Sequence, residues 1–114
     1  MVLGVVGLID QGELDCKVLA IEVNEAKERK IRNIEDYNRT NPGAVKEIIE
    51  WFRMYKTWEG KKVNKFCWNG EILSVDRTLE LIQDSHRQYK SFFEHPEQNS
   101  SYNYWLGNNP PFGK

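Results

Sequence analysis

The stretch Ile9-Asp10-Gln11-Gly12-Glu13-Leu14-Asp15-Cys16-Lys17 packs three carboxylates and a lysine into nine residues. Hard cations such as Mg2+ take oxygen ligands, commonly one or two carboxylates beside waters and phosphate oxygens. Asp10 and Asp15 fit that need, and Lys17 beside them would meet a phosphate as a point charge. The spacing D-x4-D-x-K also suits a solvated acidic turn, and the residue types alone leave both readings open. Tyr55 and Lys56 add a phenol and an ammonium at the end of an apolar-periodic segment. A lysine at a helix C-terminus complements the dipole and a tyrosine on an apolar stripe packs, so both also have a purely structural explanation. His86 reads as a hydrogen-bonded core residue rather than a ligand or base. The basic run 27–32 is interleaved with Glu28 and holds no aromatics, which reads as a solvated loop and not a nucleic-acid surface.

Any charged ligand must be held by such a local cluster. Lys and Arg number 16 against 17 Asp and Glu in 114 residues, a net charge of −1, so no global field draws nucleic acid or anionic lipid. Cys16 and Cys67 stand in neither a C-x-x-C pair nor a zinc-type spacing and are expected as buried free thiols. The apolar run 2–9 carries two glycines and is far too short to span a membrane. No basic residue precedes it and acidic residues follow, unlike a secretory signal, so a cytoplasmic protein is expected. On that expectation the sequons at Asn38 and Asn99 are chance matches.

The elements that must position these groups are legible as patterns. Residues 2–9 and 16–23 are rich in β-branched side chains and flank a short acidic turn containing Gly12, which predicts two adjacent antiparallel strands. Alternation in the second puts Lys17, Leu19, Ile21 and Val23 on one face, and Asp15 joins them. Residues 24–32 read as a loop, and a short helical turn is expected near 34–39. A helix is predicted over 42–57, with Asn41 as its cap, Pro42 in its first turn and Val45, Ile48, Ile49, Phe52 and Tyr55 on one face. A short extended piece over 65–68 precedes a second helix over 74–94, opened by Ser74, whose stripe Val75, Leu79, Ile82, His86, Tyr89 and Phe93 is expected to be buried. Residues 96–114 form an irregular tail with scattered aromatics.

In this order the pieces resemble family I inorganic pyrophosphatases of the eukaryotic type. VLGVVGLIDQGELDCKVLAIEV resembles their strand, acidic turn and strand, in which two aspartates hold Mg2+ and a lysine binds phosphate; by position these are Asp10, Asp15 and Lys17. The segment ending in WFRMYK resembles their following helix, whose Tyr-Lys pair binds phosphates and corresponds to Tyr55 and Lys56. IQDSHRQYKSFF resembles their last helix. The resemblance runs from about Val2 to Phe93 and implies an α+β chain, mainly β in the complete fold, forming part of an OB-like five-stranded β-barrel with two long helices packed outside.

It also implies Mg2+-dependent hydrolysis of pyrophosphate to two phosphates in a cytoplasmic homodimer, with no nucleic-acid or membrane partner. Gln11 stands where the family often has Glu, which removes one possible supporting carboxylate. The family's D-x-D-P-x-D motif, which supplies further metal-binding aspartates, is absent from these 114 residues. Residues 1–95 therefore correspond to the C-terminal part of the pyrophosphatase domain, and the chain alone is expected to be inactive. The competing expectation is a non-catalytic interaction domain built on the same fold.

Overall fold

A computed structural model describes residues 1–95; the expected irregular tail over 96–114 lies outside them. The elements are β1 (Val2–Asp10), β2 (Glu13–Ala20), α1 (Val23–Glu28), α2 (Ile34–Thr40), α3 (Ala44–Met54), β3 (Lys65–Phe66) and α4 (Val75–Glu94). They fall into two compact units, Met1–Thr78 and Leu79–Lys114.

In the first unit the strands form an antiparallel sheet of order β2-β1-β3, open among the described residues rather than closed into a five-stranded barrel. Leu3, Val5, Val6 and Leu8 of the central strand are buried, so β1 reads as an almost unbroken apolar run because both its faces are covered. At one end Leu3 joins Ile21, Ala26 and Ile31, with Leu19, Ile34 and Tyr37 packed around them.

The acidic turn is shorter than expected. Only Gln11 and Gly12 turn the chain, both with positive φ (53° and 81°), so pairing begins at Asp10 opposite Glu13. Two consecutive positive-φ residues match the right-handed twist of a tight hairpin. Asp10, Glu13 and Asp15 consequently belong to strands, and β2 covers 13–20 instead of 16–23. It stops because Glu22 leaves the sheet to cap α1, its carboxylate accepting from the Glu25 N–H at 2.9 Å. Half of the expected loop 24–32 is therefore helical, held by buried Ala26 and by the Arg29–Glu25 pair at 2.8 Å. Val23, assigned to the strand's apolar face by alternation, is an exposed helical residue.

Helix α3 begins at Ala44, after Gly43 in the left-handed conformation and without a side-chain cap. Asn41 does not cap it, since its side chain donates to the Tyr37 carbonyl and accepts from Arg29 at the end of α2. Pro42 lies outside the helix. The helix ends at Met54, whose carbonyl accepts from the Thr57 hydroxyl at 2.7 Å, so residues 55–57 are not part of it. Val45 is buried and Ile49 and Phe52 half-buried on the expected face, while Ile48 is exposed. Trp68 is not extended. It opens a short 3-10 turn, Trp68–Gly70, with φ of 53°, so that the strand over this stretch is Lys65–Phe66 and Cys67 adds one further N–H bond to the Gly7 carbonyl of β1.

Helix α4 starts after Ser74, whose hydroxyl accepts from the Arg77 N–H at 3.3 Å, and its buried residue in the first unit is Thr78. In the second unit the expected buried stripe is exposed at Leu79, Ile82, His86, Tyr89 and Phe93. Helical period gives a residue's side of the helix but not whether another element covers that side. Cys16 and Cys67 are free thiols, only half-buried, at the sheet's two flanks.

Candidate active site

The hairpin sets the geometry. Directly opposed residues of an antiparallel pair project to the same face, and the opposed pairs here are Asp10 with Glu13, Leu8 with Asp15 and Val6 with Lys17. Asp10, Asp15 and Lys17 therefore share one face. Asp15 and Lys17 form an ion pair at 2.9 Å. The Lys17 ammonium also stands over the Phe52 ring of α3, 5.3 Å from its centroid.

The turn after α3 completes the cluster. Tyr55 donates its hydroxyl proton to Asp10 Oδ2, and Lys56 Nζ donates to Asp10 Oδ1, both at 2.5 Å. The Asp10 side chain is only 10% exposed and that of Lys56 21%. Tyr55 is aimed by its neighbours: it stacks on Trp51 (centroids 5.1 Å apart, 21° between planes) and meets Phe52 edge-on at 5.8 Å. The helix period explains this, since residues three and four apart share a side.

The charges respond to this packing. Lys56 first, then Tyr55, hold the Asp10 carboxyl below the ordinary carboxylate range against the opposing effect of burial. The Tyr55 phenol is pushed up by its hydrogen bond to Asp10, by burial and by the Asp10 charge, and Lys56 is raised mainly by its bond to Asp10. Lys61, paired with Glu59 at 3.2 Å, is close enough for its charge to lower Asp10 further.

The five residues singled out from sequence thus lie in two adjoining groups, Asp10–Tyr55–Lys56 and Asp15–Lys17, joined by the hairpin face. Gln11 is exposed in the turn. His86 is exposed on α4 rather than buried in a core. Residue chemistry had not pointed to Phe52 beneath Lys17, Trp51 beside Tyr55 or Lys61 near Asp10. The first two could have been found from the spacing W-F-x-x-Y-K, which stacks these rings on one side of a helical turn.

No three His, Cys, Asp or Glu side chains converge as a metal cage among the described residues. Mg2+ does not require one, because it binds through one or two carboxylates and keeps waters and phosphate oxygens for the rest. Asp10 and Asp15, on one face with lysines beside them, are the residues that could hold such a cation.

The chain is similar over most of its length to proteins of one family. A family model described as inorganic pyrophosphatase matches residues 1–90. The inorganic pyrophosphatase of Zygosaccharomyces bailii is 40% identical over 89 residues, covering 78% of this chain and 31% of that protein. The structure of the inorganic pyrophosphatase of T. brucei brucei superposes with a TM-score of 0.76 at 34% identity, over 82% of this chain and 27% of that one. An N-terminally truncated vacuolar soluble pyrophosphatase of Trypanosoma cruzi, solved with pyrophosphate, gives 0.75 at 36% identity, over 82% of this chain and 35% of that one. The chain thus spans about a third of the length of the proteins it matches.

Proposed function

The chain belongs to the inorganic pyrophosphatase family, and on that premise we propose that Asp10, Asp15, Lys17, Tyr55 and Lys56 form part of a Mg2+-dependent site for hydrolysis of pyrophosphate to two phosphates. The observation that carries this reading is the convergence on Asp10 of Tyr55 and Lys56, 45 and 46 residues away along the chain. A carboxylate, a phenol and an ammonium in mutual contact can serve a cation and an anion side by side.

Asp10 and Asp15 would hold Mg2+, which supplies charge neutralisation and a water of lowered pKa. Lys17 and Lys56 offset negative charge on phosphate oxygens, and Tyr55 donates a hydrogen bond to one of them. The P–O–P bridge breaks as water adds to one phosphorus, leaving two phosphates, and fixed positive groups count most as charge grows on the departing one. The Phe52 ring, 5.3 Å from the Lys17 ammonium, gives that charge an apolar neighbour, beside which it acts more strongly than in bulk water.

The open three-stranded sheet is read as part of the OB-like five-stranded barrel that the resemblance implies. A cytoplasmic homodimer without nucleic-acid or membrane partners belongs to the same reading. The near-neutral net charge supports the part of it that concerns nucleic acid and anionic lipid, and no helix among the described residues is long and apolar enough to cross a membrane.

Binding is the direct readout for these five residues. Calorimetric titration of the chain with pyrophosphate should give binding only with Mg2+ present, lost in Asp10→Asn and Asp15→Asn, while a phosphate-release assay under the same conditions should show no appreciable turnover by the 114 residues alone. Binding that is indifferent to chelator and to both substitutions would overturn the proposal. The absence of any pyrophosphate binding would favour the non-catalytic interaction domain.

A further inference from the structure

Both oxygens of Asp10 already accept a hydrogen bond. Lys56 occupies Oδ1 and Tyr55 occupies Oδ2, each at 2.5 Å, and the carboxylate is 10% exposed. Mg2+ demands a carboxylate oxygen at about 2.0–2.1 Å and brings its own tightly held waters. An ammonium hydrogen-bonded to the same carboxylate would then face a divalent cation across a few ångströms of partly desolvated space, where like charges repel strongly. The ammonium and the cation therefore compete for Asp10, each weakening the other's hold on it. Asp15 differs: its partner Lys17 sits at 2.9 Å and its side chain is 42% exposed, so water can take over that pairing at lower cost.

We infer that Lys56 and Tyr55 act as a latch on Asp10, holding the carboxylate closed until a divalent cation displaces them and so releasing the ammonium and the phenol that then receive the phosphate. The inference rests on the metal-site reading above and adds an order of events to it. The displaced ammonium has somewhere to go: Lys56 lines a cleft of about 550 Å³ together with Lys61, Lys62 and Lys65, and four lysines around one cleft are held there most favourably when an anion joins them. Tyr55 is stacked on Trp51, so a movement of its ring away from Asp10 would change the surroundings of that indole and give opening of the latch an optical reporter. Because the cation must open the latch before the donors are free, cation and anion binding are coupled through one element with two arrangements.

The test measures divalent-cation binding without substrate, by Mg2+ calorimetry or Mn2+ paramagnetic resonance, on the 114-residue chain and on variants whose fold is checked by circular dichroism. Tyr55→Phe removes one bond to Asp10 without changing charge and is expected to tighten the cation about tenfold or more, the scale of one released hydrogen bond to a charged group. Lys56→Met should tighten it by about tenfold or more. Lys61→Met removes an equal charge nearby that is not bonded to Asp10, and should change affinity by less than about threefold because solvent and salt screen it. Cation addition should alter tryptophan fluorescence in the unmodified chain and not in Trp51→Phe.

Cation binding that is equal in the unmodified chain, Tyr55→Phe and Lys56→Met overturns the latch and leaves the metal site standing. An effect of Lys61→Met as large as that of Lys56→Met also overturns it, since general electrostatics would then suffice. No cation binding in any form overturns the metal-site reading and the latch with it.

Discussion

Gly7→Ala is expected to lower the midpoint of thermal unfolding by about 8–16 °C. A Cβ at this position falls 2.7 Å from Trp68 Cζ3 and 3.0 Å from both Trp68 Cε3 and Cys67 Cβ, where ordinary contact begins near 3.4 Å. Something must move by several tenths of an ångström. The backbone resists, because the Cys67 N–H donates to the Gly7 carbonyl at 2.8 Å, and the Gly70 and Glu71 N–H groups close the next turn at 2.9 Å. Trp68 and Asn69 are already held at positive φ, 53° and 55°, a region most side chains avoid. Trp68 as a residue is 37% exposed and its ring can tilt outward in part, which places the cost in the middle of the overpacking range of about 1–3 kcal/mol. About 2 kcal/mol at 4–8 °C per kcal/mol for a domain of this size gives the shift. Thermal melts followed by circular dichroism measure it. In a Trp68→Leu background, where the ring is gone, the same substitution should cost less than about 1 kcal/mol. An unchanged midpoint for Gly7→Ala, or an equal loss in both backgrounds, would refute the argument that this contact sets the strand's spacing.

The hairpin tip gives a prediction of opposite sign: Gln11 sits at φ 53°, so Gln11→Asn, better suited to that region, should stabilise by up to about 1 kcal/mol. Gly12→Ala, at φ 81° with open space around it, should destabilise by about 1–2 kcal/mol through backbone strain alone; urea midpoints that move the other way would contradict both. Asp36 is held at about 2 against an ordinary 3.8, chiefly by Arg32 and with help from Arg39. A carboxyl lowered on folding favours the folded state fully above about pH 4 and loses that contribution as the pH falls towards 2. Acid unfolding of Asp36→Asn should therefore lack this limb, and identical acid profiles would be a failure. Asp15→Asn should weaken Mg2+ binding by about tenfold or more. Asp76→Asn should leave it unchanged, since Asp76 is an exposed acid in the first turn of α4 that complements the helix dipole; equal losses would argue against Asp15 as a ligand.

What the sequence determined by itself is what depends on near neighbours. Two β-branched runs around a glycine-containing turn make a hairpin, and a period of two puts Asp15 and Lys17 on one face however the strands are later packed. The periodicity from Val45 to Phe52 makes a helix and sets Tyr55 and Lys56 at its end. The ordered motifs carried the family likeness for the same reason, as each is short and contiguous. Local rules failed where two uses competed for one residue. Glu22 and Val23 fit a strand by composition, but the open N–H groups of α1 needed a cap, and Asn41 was already taken by Arg29 and Tyr37.

Only the tertiary structure decided the rest. That Tyr55 and Lys56 reach Asp10 depends on how α3 lies across the hairpin, which shows in no window of sequence because the contact closes a loop of some 45 residues. Whether an apolar stripe is buried was likewise not local: the same helical pattern is largely covered on α3 and exposed on the second unit's part of α4. Period gives direction, but burial is the property of two surfaces, and a charge's partner is whatever folding brings within hydrogen-bond reach of it.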